Sequence, residues 1–116
     1  MRNRRVAHLY QALNPAVIKM IKMVFADAEK NNIELVMCGE MAGDPLNIPV
    51  LLGFGLKNLS MNPASISVIK KMIRGMDFQK AQRFAQKVVT FSTVQEITRF
   101  TQEEYKDFLP YKEMEE

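Results

Sequence analysis

Cysteine is nearly absent: Cys38 stands alone in 116 residues. An internal disulfide is therefore impossible, and a lone thiol fits a reducing compartment. Histidine is as scarce, and His8 with Cys38 cannot close a zinc site, which takes four ligands. An excess of one charge is lacking too, with sixteen basic residues against thirteen acidic ones and a net charge of +3. Arg2, Arg4 and Arg5 read as a solvated terminus rather than an anion-seeking arm. Basic and aromatic residues do not interleave in a patch, which argues against a nucleic-acid surface. No apolar run is long enough to span a membrane, and no signal-peptide pattern is present. These absences leave a single soluble, cytoplasmic domain as the expectation. What is present, 47% hydrophobic and 25% charged residues, suffices for a modest core.

Residues 1–5 are polar and are expected to be loose, as is the acidic tail 110–116. Val6 to Tyr10 fits a short strand or one helical turn equally well. Asn14-Pro15 opens the first helix, Asn as cap and Pro where no donor is needed. Val17, Ile21, Val24 and Ala28 fall on one stripe, widened by Ile18, Met20, Met23 and Phe25. So much apolar circumference predicts a helix with neighbours on more than one side. Asn31-Asn32 stops it. Leu35 to Met37 reads as a strand, Pro45 to Phe54 as a short helix punctuated by Gly53 and Gly55, and Leu59 to Met61 as a second strand. Asn62-Pro63 opens a helix carrying Ile66, Ile69, Ile73 and Met76, with Gly75 at its end. Asp77 caps the next, whose buried face is Phe78, Ala81, Phe84, Ala85, Val88 and Val89. Thr93 and Glu96 have the spacing of a capping box. The last helix carries Val94, Ile97, Phe100 and Phe108 and ends at Pro110.

Two short strands cannot cover so many apolar helices, and strands separated by helices favour a parallel sheet. The chain therefore reads as α/β, helix-rich, and either part of a larger object or self-pairing. The nine methionines, at helical spacings, read as core or interface filling rather than as a metal site.

The stretch from Val36 to Pro45 organises the rest. A strand that stops at a small reactive side chain beside a glycine brings thiol and backbone close to a ligand. Composition alone favours a buried structural role for Cys38. Gly39 reads as a turn residue or as a point of backbone approach to substrate, and Gly43 as conformational. Glu40 and Asp44 are either a carboxylate pair or, more simply, a hydrogen bonder and a helix cap.

The segments VAHLYQALNPAVIKMIKMV and MCGEMAGDPLNIPVLLGFGLKNLSMNPASISVIKKMIR closely resemble the C-terminal end of the Enzyme I-type phosphoenolpyruvate–protein phosphotransferases of bacterial sugar uptake. The likeness runs from about Val6 to about Phe100. The CGE triplet also occurs in the related pyruvate phosphate dikinases and phosphoenolpyruvate synthases, whereas LLGFGL-x-x-LSM points to the Enzyme I type.

The resemblance implies a (β/α)₈ TIM-type barrel, of which residues 1–116 would be the C-terminal portion. Leu35 to Met37 and Leu59 to Met61 would be about its seventh and eighth strands. It also implies that Cys38 is the proton donor to enolpyruvate, with Gly39 and Glu40 beside the substrate. Thiols with ordinary pKa values, near ~8.5, are mostly protonated at neutral pH and have a proton to give. A full barrel needs about 250 residues, and with two of its eight strands this chain would supply roughly the last quarter. On the same likeness, Mg²⁺ serves the complete enzyme through ligands outside this chain. A small phosphocarrier protein is met through an N-terminal portion that bears the phosphohistidine, and the barrel domain self-associates. The expected function is thus part of the phosphoenolpyruvate-binding domain of a phosphotransferase, inactive alone. The alternatives are a non-catalytic dimerisation module, or the end of a dikinase or synthase relative.

Overall fold

The computed structural model describes residues 13–109. Val6 to Tyr10, His8, the three N-terminal arginines and the two expected loose ends at 1–5 and 110–116 lie outside the described residues.

Helix α1 (Pro15–Lys30) starts as its sequence dictates: the Asn14 side chain accepts from the Ala16 N–H at 2.8 Å, with Pro15 in the first position. Its end is also chemical. Asn32 adopts φ 58°, and the N–H groups of Asn32 and Ile33 return to the carbonyls of Glu29 and Ala28. That is a Schellman closure, with asparagine in the left-handed position that glycine usually takes.

Strand β1 (Met37–Cys38) follows, then a four-residue helix α2 (Glu40–Gly43), a 3₁₀ turn Pro45–Asn47 and helix α3 (Ile48–Gly53). Gly55, at φ 101°, closes α3 by a second Schellman pair, Gly55 N–H to Leu52 and Leu56 N–H to Leu51. Strand β2 (Leu59–Ser60) lies parallel to β1, with Met37 opposite Leu59 and Cys38 opposite Ser60. Helices α4 (Pro63–Arg74), α5 (Phe78–Val88) and α6 (Val94–Glu104) complete the fold. Asn62 caps α4, Asp77 caps α5, and Thr93 with Glu96 forms the full capping box of α6.

The core is helical. Ile18 of α1, Val50 and Leu51 of α3, Phe84, Ala85 and Val88 of α5, and Ile97 of α6 bury one another, together with Leu13, Leu56 and Tyr105. A second cluster joins Ile48 of α3 to Ile69 and Met72 of α4. Aromatic rings fasten α5 to α6. Phe84 stacks on Phe100 at 5.1 Å between centroids and meets Tyr105 edge-on at 5.0 Å. The Lys80 ammonium sits 4.9 Å over the Tyr105 ring and donates to the Glu104 carbonyl, so it closes the C-terminal end of α6.

Several expectations need correction. The first strand is Met37–Cys38 rather than Leu35 to Met37, because the Asn58 amide takes the place of a ladder partner there. It donates to the Leu35 carbonyl and to the Glu34 carboxylate. The helix expected over Pro45 to Phe54 is split into a 3₁₀ turn and α3, and α2 has no counterpart among the expected elements. α6 ends at Glu104, and Phe108 lies in the turns beyond it, its N–H bonded to the Tyr105 carbonyl. Phe78, first residue of α5, is 52% exposed instead of buried, since it precedes the helix face that meets α3. α1 buries only one side here: Met20 and Met23 are 60% and 65% exposed, and Val24 is open as well.

Candidate functional site

Parallel pairing directs both strands the same way, so Cys38 and Ser60 mark one common end. Cys38 is a free, exposed thiol at that end. The buried structural role suggested by composition is therefore overturned. The chain turns immediately after it. Gly39 has φ 83° and ψ −155°, a region essentially closed to residues with a Cβ. The turn reading of Gly39 is thus correct, for a conformational reason. A Cβ there would meet nothing within 4 Å, so the space beside Cys38 is open. The Gly39 N–H is already used, donating to the Ser60 carbonyl at 3.2 Å.

Glu40 opens α2, directly after the turn, so Cys38, Gly39 and Glu40 are brought to one strand end by contiguity alone. Asp44 does what a cap does: its Oδ1 accepts from the Leu46 N–H at 3.0 Å. The simpler reading of Asp44 stands. Gly43 differs from expectation. Its backbone lies outside the left-handed region, and what it needs is room, because a Cβ would come within 3.1 Å of Ser65 Oγ. One residue beside the site went unread in the sequence. Asn47, only 3% exposed, donates from Nδ2 to the Met41 carbonyl at 3.2 Å. Its signal was a lone amide inside the apolar run from Leu46 to Leu52.

A cleft of about 630 Å³ opens at the opposite end of the strands, between Phe25, Ile33, Leu35, Phe54, Asn58 and Phe78. Size alone would select it, yet it does not include Cys38. The chemistry lies with the thiol, so the strand end at Cys38 is the candidate site. Among the described residues, no three His, Cys, Asp or Glu side chains gather to hold a metal ion. No helix among the described residues is long and apolar enough to cross a membrane.

Residues 1–78 match the family model described as PEP-utilising enzyme, PEP-binding domain. The chain is 41% identical over 104 residues to a phosphoenolpyruvate-protein phosphotransferase of Bacillus subtilis, covering 90% of this chain and 18% of the relative. It is 39% identical over 104 residues, with the same coverage, to the protein of that name from Mycoplasma pneumoniae. A protein of Salmonella typhimurium named for the phosphoenolpyruvate-dependent phosphotransferase system is 42% identical over 85 residues, which is 73% of this chain and 11% of that protein. The chain thus spans under a fifth of the length of these relatives.

Proposed function

This chain belongs to the PEP-utilising enzymes, in their PEP-binding domain, and from that premise we propose that it forms the C-terminal part of a (β/α)₈ barrel in a phosphoenolpyruvate–protein phosphotransferase. In this reading β1 and β2 are about the seventh and eighth strands. The end at Cys38 is the catalytic end, as it is for barrels generally. The observation that carries the proposal is an exposed thiol on the last residue of a strand paired in parallel, followed by a glycine in a conformation only glycine adopts easily.

Transfer of the phosphoryl group from phosphoenolpyruvate to a protein histidine leaves the enolate of pyruvate. Cys38 donates its proton to the methylene carbon: the S–H bond breaks, a C–H bond forms, and the enolate electrons close the keto carbonyl. Pyruvate leaves, and the thiolate regains a proton from solvent, to which Cys38 is open. Gly39 and Glu40 stand beside the substrate. The histidine and the site that meets a small phosphocarrier protein belong to parts of the enzyme outside these residues. So do the ligands of the Mg²⁺ that the complete enzyme uses. The compartment is the cytoplasm. LLGFGL-x-x-LSM and the relatives' names support this reading over a pyruvate phosphate dikinase or phosphoenolpyruvate synthase.

The test is reconstitution. A relative shortened by the region that this chain matches is mixed with the chain, and pyruvate release from phosphoenolpyruvate is followed. The mixture is expected to regain activity, and Cys38→Ala to lose at least about a hundredfold, the low end for removing a general acid. A mixture indifferent to Cys38 overturns the assignment.

A second reading, a non-catalytic module that associates with itself, is favoured by the apolar side chains left open on α1 and after it: Met20, Met23, Val24, Ile33 and Val36. Light scattering decides it, since a clean monomer at tens of micromolar with no binding of an apolar dye contradicts it.

A further inference from the structure

Helix α2 is the element through which the chain leaves Cys38. Four residues make too short a helix to hold its own shape, so its place is set by what touches it. Ala42 is completely buried. On one flank, Gly43 lies against the first turn of α4 and the residue after β2. A Cβ on it would sit 3.1 Å from Ser65 Oγ, 3.3 Å from Ser65 Cβ and 3.5 Å from Met61 Cβ. The Ser65 backbone is itself fixed, its N–H donating to Asn62 Oδ1 at 2.9 Å. On the other flank, the buried Asn47 amide holds the Met41 carbonyl and closes the loop from Met41 to the 3₁₀ turn. Between this seated helix and Cys38 there is only Gly39.

We propose that Gly43, Ser65 and Asn47 are positioning residues for Cys38: they seat α2, and through the Gly39 turn they set the direction in which the thiol is presented. The proposal deepens the reading of Cys38 as the functional thiol, but its test needs no turnover. Should Cys38 prove dispensable for pyruvate release, that reading falls, while thiol chemistry still reports on the seat of α2.

The rate at which iodoacetamide alkylates Cys38 in the whole chain is measured at one mildly alkaline pH, well below the melting temperature. Gly43→Ala is expected to change the rate about fivefold or more, because the tight contact with Ser65 must open. Adding Ser65→Gly, which takes both Ser65 side-chain atoms away from the introduced methyl, is expected to bring the rate back to within about twofold of the parent. Val88→Ala, which loosens the core in α5 without touching α2, is expected to leave it unchanged. Failure of Ser65→Gly to restore the rate, or an equal change with Val88→Ala, overturns the proposal. Where Gly43→Ala does not fold, hydrogen exchange of the Asn47 side-chain amide in the parent decides. Slow exchange of one Nδ2 proton supports the seat, and exchange as fast as that of an exposed asparagine refutes it.

Discussion

Among the glycines, Gly53→Ala should meet the tightest obstacle. Gly53 ends α3 and lies on α5, and these two helices make the most extensive pairing in the fold. A Cβ at position 53 would come 2.2 Å from the Ala81 carbonyl oxygen, 2.6 Å from Ala85 Cβ and 2.9 Å from the Ala81 carbonyl carbon. The nearest obstacle is backbone, so no rotamer change relieves it. α3 has to recede from α5 by close to ~1 Å, a tenth of a usual interaxial distance. Overpacking of this kind costs about 1–3 kcal/mol, and a backbone obstacle belongs at the upper end. Against it stands the gain from replacing glycine in a helix, roughly 0.5–1 kcal/mol. The net loss is about 2 kcal/mol, which for a domain of this size lowers Tm by about 8 °C. Thermal and urea unfolding followed by circular dichroism measures it. Adding Ala85→Gly should recover only part of the loss, because it removes the 2.6 Å contact and leaves the carbonyl in place. A fall in Tm below about 4 °C, or full rescue by Ala85→Gly, would show that α3 and α5 do not meet backbone to side chain at this point.

Gly39→Ala should destabilise by about 1–3 kcal/mol through backbone strain alone, since its Cβ meets nothing, and urea unfolding should show the loss. Among the described residues the buried Tyr105 hydroxyl has no hydrogen-bond partner, so Tyr105→Phe at neutral pH should leave stability unchanged or raise it by up to about 1 kcal/mol. Burial, and then the charges of Glu104 and Asp77, push the Tyr105 phenol up to about 12. The folded state therefore holds this proton more tightly, and the associated stability is intact below the ordinary value near ~10 and lost as pH climbs toward 12. Alkaline unfolding of the parent should show that loss, and Tyr105→Phe should lack it. Thr93→Ala should cost about 1 kcal/mol by breaking the capping box of α6. The Ser92 N–H chiefly, with the Thr93 N–H and hydroxyl, holds the Glu96 carboxyl below its ordinary value. Its contribution is present above the unfolded carboxyl's pKa and is lost as pH falls through the lower folded value. Glu96→Gln should flatten that acid-side decline in a pH series of melts.

Helix starts were the most legible part of the sequence, because each is a local act. Asn14-Pro15, Asn62-Pro63, Asp77 and the Thr93–Glu96 pair carry their hydrogen-bond partners within four residues. The strand end at Cys38 was legible for the same reason: an apolar run, a thiol and a glycine in succession. What escaped the sequence depends on contacts between distant residues. Leu35 and Val36 look like strand, but a ladder needs a partner, and Asn58 supplies a side-chain amide instead. Gly43 and Gly53 look like conformational glycines, yet they answer to Ser65 and to Ala81 in other helices. Phe78 and Phe108 both fit a helical stripe, but Phe78 stands at the very first position of α5 and Phe108 lies beyond the end of α6. Burial on α1 was overestimated because an apolar stripe says what a helix can cover, not what is present to cover it.

The match to the family model ends at residue 78, at the first residue of α5. The core does not end there. Phe84, Val88, Ile97 and Tyr105 share one cluster with Ile18 and Leu51. A chain cut at that border would strip the inner wall from α1 and α3 and leave the Cys38 end without its foundation. The smallest piece of this protein that can be exchanged between relatives and still fold is therefore set by the aromatic lock between α5 and α6, and it reaches well past residue 78, where the family model stops.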